Sequence, residues 1–145
     1  VRLGVYGTLL DPEVRALVLG EEWRSGGRPG LLRGWRRVYV AGEAYPGICR
    51  RPGAATYVLI LEGITSSVLM QADRFEGGYY RRQLLPVVLT GWRGGPEKVA
   101  FYVPSPSTRL SGQTWRYDQR WRRRYRSAFM AEARKAFSPW RAAHD

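Results

Sequence analysis

The sequence predicts an α+β fold: a mixed, strongly curved sheet or small β-barrel with flanking helices and a long C-terminal helix. Three observations lead there. The apolar and turn-bounded segments run in the order βα, β, β, α, β, β, α, which has too few helical crossovers for a parallel doubly wound sheet. Tyr117, Trp121, Tyr125, Phe129, Ala133 and Phe137 form an unbroken i, i+4 stripe, so a helix is expected from Tyr117 to Phe137. The chain has 145 residues, a length that buries about 70% of its unfolded surface around one core, and residues 1–145 are expected to form a single domain.

The elements follow in order. Val1 to Tyr6 is a short apolar run ending in Gly7. Asp11-Pro12-Glu13 then supplies an N-cap, a proline at the first helical position and an acid in the first turn, so a helix is expected from Pro12 to Leu19, stopped by Gly20. Leu31 to Val40 is strand-like, with Gly34 a candidate bulge. Gly42 to Gly53, with Tyr45-Pro46-Gly47 inside it, reads as a loop. Thr56 to Leu61 is a continuous apolar run, which suggests a strand buried on both faces. Thr65 or Ser66 can cap a helix with Val68, Leu69 and Ala72 on one face, and Gly77-Gly78 end it after Glu76. Gln83 to Thr90 and Lys98 to Val103 read as a hairpin across Gly91 to Pro96, and Pro86 places the first strand at an edge or a bulge.

Composition narrows the chemistry. His144, the only histidine, lies one residue from the C-terminus, and Cys49 is the only cysteine. Together they supply no His/Cys metal cage, no Ser-His-Asp triad and no Cys-His pair, so no metal or cofactor is expected. Proton transfer in an enzyme of this composition falls to a carboxylate, a tyrosine or the substrate itself. No apolar run reaches the roughly 20 residues of a membrane span, and Val1 to Leu10 lacks the pattern of a signal peptide. With the lone cysteine, these features suggest a cytoplasmic protein without membrane contact. The absent initiator Met leaves open whether residues precede Val1, and the oligomeric state is not legible.

The formal net charge is +12, and Arg supplies 22 of the 24 basic residues. The absence of Asn and the scarcity of Ile point to a GC-rich coding bias that favours Arg over Lys. That bias does not account for a twofold excess of bases over acids, so attraction to anionic partners stays open.

Two segments carry candidate chemistry. The loop Tyr6-Gly7-Thr8-Leu9, between a strand and a helix, offers a row of backbone N–H groups to an anion, with Gly7 allowing close approach and the helix N-terminus adding partial positive charge. Taken alone, such a turn is more often plain turn chemistry. The segment Asp73-Arg74-Phe75-Glu76-Gly77-Gly78-Tyr79-Tyr80-Arg81-Arg82 closes a helix on a carboxylate followed by glycines, tyrosines and arginines. On composition alone, Glu76 reads as a surface acid paired with Arg81 or Arg82.

The ordered set of motifs resembles the γ-glutamylcyclotransferase-like family, in its branch similar to the plant avirulence-induced-gene proteins. Tyr6-Gly7-Thr8-Leu9 ends the first strand as in that family, and Tyr45-Pro46-Gly47-Ile48 is similar to its Tyr-Pro-x-Ile element. Phe75-Glu76-Gly77 with Tyr80 and Arg82 matches its Phe-Glu-x-x-x-Tyr-x-Arg element, Phe101-Tyr102-Val103 its Tyr-Val strand, and Gly112, Trp115 and Trp121 its Gly-x-Trp region. The likeness covers nearly the whole chain. Two departures, the missing glycine in Tyr57 to Leu61 and Ala72 in place of Leu, read as packing changes.

The resemblance implies an enzyme, an acyltransferase or cyclase, that cyclises a γ-glutamyl amide to 5-oxoproline and releases an amine or amino acid. Glu76 would match the catalytic glutamate and shuttle the proton. Gly7, Thr8 and Leu9 would hold the α-carboxylate through their backbone, and Tyr6, Tyr80 and Tyr102 would line the pocket or donate hydrogen bonds. The leaving amine is not legible, since all γ-glutamyl substrates share the same glutamyl half.

Two other readings stand beside this one. The first is a nucleic-acid or polyanion-binding module using Arg116, Arg120, Arg122, Arg123, Arg124, Arg126, Arg134 and Lys135 around the terminal helix, with Trp and Tyr interleaved. The second is a non-catalytic small-ligand binder of the same fold.

Overall fold

The computed structural model describes residues 1–89 and 95–144, with side chains through Phe137. The elements are β1 (Leu3–Val5), α1 (Pro12–Leu19), β2 (Arg28–Val40), β3 (Pro46–Leu61), α2 (Ser66–Glu76), β4 (Tyr80–Leu89), β5 (Glu97–Pro104), β6 (Leu110–Thr114), α3 (Gln119–Trp121) and α4 (Ser127–His144). The strands close in the order β2, β3, β1, β5, β4 and back to β2, with β6 added beside the second half of β2. Only β1 and β5 run parallel; the other pairings among the described residues are antiparallel. The α+β class, the curved closed sheet and the C-terminal helix are those expected from the sequence.

Side-chain alternation builds two cores from one sheet. Val99 and Phe101 turn into the barrel with Leu32, Trp35, Val58 and Ile60. Ala100 and Tyr102, one residue out of phase, pack with Leu3, Val5 and Leu61 against Val14, Val18, Ala72, Met130 and Phe137 of the helices. Phe101 fills the barrel so fully that a Cβ on Gly4 would come within 2.1 Å of its ring. Hence β1 carries a glycine between Leu3 and Val5.

Local chemistry explains the helix limits. Asp11 caps α1 by accepting from the N–H of Glu13 and Val14, and Gly20 ends it. Thr65 Oγ1 accepts the Val68 N–H at the start of α2, and Gly77, at φ +63°, stops it directly after Glu76.

Several expectations need correction. The loop read over Gly42 to Gly53 shrinks to residues 41–45, because β3 starts at Pro46 and pairs with β2 from Tyr39↔Pro46 onward. Gly34 does mark an irregularity: Arg33 faces Ala55 and Trp35 faces Arg50. Thr56 to Leu61 is not buried on both faces, since Tyr57 is 50% exposed; β1 and the middle of β5, Val99 to Tyr102, are buried on both faces. Pro86 lies opposite Lys98 on β4, outside the Val88–Leu89 seam to β2, on an edge-like stretch of a strand that otherwise closes the barrel. β4 and β5 pair antiparallel, whereas Gly91 to Gly94 of the expected connection lie outside the described residues. β6 was not anticipated.

The terminal helix starts later than expected. Tyr117 precedes it, and Asp118 caps it by accepting the Trp121 N–H. A π-type turn at Arg122–Arg126 joins α3 to α4 and inserts one residue into the helical phase. Trp121, Ala133 and Phe137 of the stripe are buried, joined by Met130, while Tyr125 is only half-buried, with its ring beside Tyr39. No helix of the described residues is long and apolar enough to cross a membrane.

Candidate active site

The C-terminal end of α2 and the turn after β1 meet across a cavity of about 220 Å³. Tyr6, Gly7, Thr8, Leu9, Glu76, Tyr80 and Tyr102, distant in sequence, all line it. Tyr45, Pro46, Phe75, Tyr79 and Phe129 complete most of the wall. Aromatic rings thus surround one carboxyl group.

Glu76 is partly buried and makes no hydrogen bond or ion pair with a described residue. Burial first, and the nearby negative charge of Asp73 second, push its carboxyl up to about 8. The surface ion pair of Glu76 with Arg81 or Arg82 that composition alone would suggest does not form among the described residues. Arg82 Nε instead contacts Asp73 Oδ1 at 2.8 Å, and the Tyr102 hydroxyl donates to the same oxygen at 2.6 Å. Asp73 thus takes the Arg82 guanidinium, and its own charge adds to the rise at Glu76.

Across the cavity, Thr8–Leu10 form one 3₁₀ turn. The Leu10 N–H donates to Gly7 O at 2.8 Å and the Asp11 N–H to Thr8 O at 3.1 Å, while the N–H groups of Gly7, Thr8 and Leu9 reach no described acceptor. These donors stand at the cavity wall. Arg37 braces the turn from behind: Nη1 donates to Tyr6 O at 2.8 Å and Nε to Trp115 O at 3.1 Å. Burial, then the charge of Arg116, lowers the Arg37 pKa to about 10, so it stays cationic near neutrality.

Two details depart from the sequence reading of this loop. The α1 N-terminus does not serve the cavity, because Asp11 Oδ1 takes the N–H of Glu13 and Val14 at 2.9 and 3.2 Å. Asp11 also accepts from the Tyr117 hydroxyl and from Arg126 Nε; burial raises its carboxyl, yet these hydrogen bonds hold it below the usual carboxylate value. Gly7, moreover, is explained by Pro46: a Cβ there would lie 2.8 Å from the proline Cγ. The glycine lets loop and β3 meet.

The tyrosines are more committed than the sequence reading allows. Tyr6 donates to Tyr102 O, Tyr80 to Pro46 O and Tyr102 to Asp73, each at 2.6 Å. Burial drives all three phenols well above their ordinary value, with the hydrogen bond to Asp73 adding to Tyr102. Their protons are already placed, and the rings and hydroxyl lone pairs are what the cavity sees.

The wall residues that sequence reasoning did not assign to the site had partial signals. Tyr45-Pro46 stands in the Tyr-Pro-x-Ile element, and Phe129 lies on the helical stripe. Two indoles of the terminal region fasten the residue before Tyr45 of this wall: Trp115 Nε1 and Trp121 Nε1 donate to the single carbonyl of Ala44, at 2.9 and 2.7 Å. Phe75 is wedged between Phe129 and Phe137, with ring centroids 6.0 and 5.5 Å away, which fixes the last turn of α2.

Known proteins are similar to this chain in sequence and fold. A family model described as gamma-glutamyl cyclotransferase, AIG2-like, matches residues 3–123. Protein AIG2 C of Arabidopsis thaliana is 27% identical over 135 residues, covering 90% of this chain and 78% of that protein. Protein AIG2 B of the same plant is 30% identical over 139 residues, covering 94% and 79%. A solved gamma-glutamyl cyclotransferase superposes with a TM-score of 0.60 over 76% of this chain and 68% of that one, at 16% identity, a likeness of fold. The chain therefore belongs to the AIG2-like gamma-glutamyl cyclotransferase family.

Proposed function

We propose that the chain cyclises a γ-glutamyl amide to 5-oxoproline, releasing an amine or amino acid, with Glu76 as the catalytic residue. The observation that carries this reading is an unpaired carboxyl, raised to about 8, facing the free N–H groups of Gly7, Thr8 and Leu9 across a cavity of about 220 Å³. A residue with that pKa can both accept and return a proton near neutral pH.

In the proposed reaction the α-carboxylate of the glutamyl group binds the backbone donors of Gly7, Thr8 and Leu9. The α-ammonium then lies toward Glu76, and its charge favours the ionised carboxylate. Glu76 takes one proton, the freed amine attacks the γ-carbonyl carbon, and the new C–N bond closes the five-membered ring. As the amide C–N bond breaks, Glu76 returns the proton to the leaving nitrogen, and the ring nitrogen gives up its second proton to water, leaving the neutral lactam N–H and a free amine. The aromatic wall holds the chain folded, which converts the attack into a step between groups already in contact. Because the base form is required first, kcat/KM should rise with pH as Glu76 ionises, levelling off above about 8.

The test is direct. The purified protein is incubated with γ-glutamyl amino acids, glutathione and γ-glutamyl-ε-lysine, and 5-oxoproline is followed by mass spectrometry. Formation from any of them, abolished in Glu76→Gln, supports the proposal. No product from the whole panel, together with calorimetric binding of none of its members, would overturn it.

A further inference from the structure

The basic residues of the terminal region do not act as one patch. Arg126 is spent on Asp11 and Glu13, Arg122 lies over the Tyr117 ring, Arg123 contacts Gln119, and Lys135 pairs with Glu132. Arg116, Arg120 and Arg124 instead line a single surface cavity of about 350 Å³ that the Glu76 site does not share. Arg116 and Arg120 make no hydrogen bond or ion pair with a described residue, and the three exposed guanidiniums stand at successive spacings of four residues. The one carboxylate of the wall, Asp118, has an oxygen held by the Trp121 N–H.

The other side of the same cavity is aromatic. Tyr39 and Tyr125 meet at 6.2 Å and 57°, a tilted contact that leaves ring surface uncovered, and Arg124 lies over Tyr125 at 5.2 Å. Both tyrosines are half-buried and held in place. The π-type turn carries Arg124 and Tyr125 to this face while Arg126, two residues on, turns to Asp11. Cations spaced along a groove beside a stacked ring and guanidinium are the two parts that single-stranded nucleic acid binding requires, one for phosphates and one for a base.

We propose that Tyr39, Arg116, Arg120, Arg124 and Tyr125 form a binding site for single-stranded nucleic acid, independent of the Glu76 cavity. The guanidiniums take phosphates and the Tyr125 ring supports a base. Net charge alone would attract any polyanion through every arginine alike. The geometry assigns the binding to three of them.

The experiment is a fluorescence-anisotropy titration of labelled oligouridylate at several salt concentrations. Two triple variants that remove the same charge are compared: Arg116→Gln/Arg120→Gln/Arg124→Gln, and Arg122→Gln/Arg123→Gln/Arg134→Gln. At about 0.7 per phosphate contact on a single strand, the first should lower the salt slope by about two and weaken binding strongly, while the second binds as the wild type. Tyr125→Leu should weaken binding by about tenfold with an unchanged slope. Melting curves establish that each variant is folded. Equal losses in both triples would reduce the effect to net charge and overturn the proposal, as would an undetectable complex with the wild type or equal competition by inorganic tripolyphosphate.

Discussion

Replacing Glu76 with Gln separates two consequences of ending α2 on a carboxyl inside an aromatic wall. In the folded protein that group titrates at about 8, against its ordinary 4.5 in an unfolded chain. Between those values the folded state holds a proton that the unfolded state has released, so stability is full below about 4.5 and is lost as the pH rises through about 8. At about 1.4 kcal/mol per pH unit the interval sets a ceiling of about 5 kcal/mol, and partial exposure to water reduces the expected loss to about 2 kcal/mol. Gln has the same shape and carries no such dependence. Urea unfolding of both proteins at pH 5, 6, 7 and 8 should show Glu76→Gln gaining about 2 kcal/mol on the wild type across that range. Turnover of an active γ-glutamyl substrate at pH 8 should fall by about 10² or more in the same variant. Parallel stability curves would refute the raised pKa, and undiminished turnover would refute the proton-transfer role.

Three further perturbations probe the supports of the site. Gly7→Val should drive Pro46 away, displace the acceptor of the Tyr80 hydroxyl and weaken substrate binding by at least about tenfold in calorimetry, whereas Thr8→Ala should be mild. Trp121→Ala should cost about 3–5 kcal/mol in chemical denaturation, the range for a buried aromatic, and Trp121→Phe less, about 2 kcal/mol, since it keeps one aromatic ring but loses the donor to Ala44 and leaves part of the indole volume empty. Arg126→Ala should raise the Asp11 carboxyl, whose stabilising contribution is present above its unfolded value of 3.8 and is lost as the pH falls; the midpoint of acid unfolding should therefore move to higher pH.

What the sequence discloses here depends on how far its physical cause reaches along the chain. α1 is legible to the residue, because a capping Asp11, a first-turn proline and a terminating Gly20 act within a few positions. The first half of β3 is not, because Pro46, Pro52 and Gly53 look like loop chemistry and become strand only through pairing with β2. β6 is harder still: Leu110-Ser111-Gly112-Gln113-Thr114 has no apolar alternation, and its place beside β2 is supported by Arg36 donating to Gly112 O and Thr114. In the candidate site, Glu76 and the Gly7 turn stand out as motif residues. The Asp73–Arg82 contact that leaves Glu76 unpaired, and the proline that explains Gly7, are products of tertiary meeting and carry no local signature.

The double hydrogen bond onto Ala44 has a consequence in time as well as in space. The Ala44 carbonyl, next to Tyr45 of the pocket wall, waits for donors 71 and 77 residues later in the chain, and the Phe129 that completes the wall emerges later still. A nascent chain on the ribosome can form α1 and the β2–β3 hairpin long before either indole exists, but it has no finished wall around Glu76. Contacts of such sequence separation also slow the final closure, since loop entropy must be overcome before they contribute. The wall around Glu76 is therefore complete only in a chain that has been translated past Phe129.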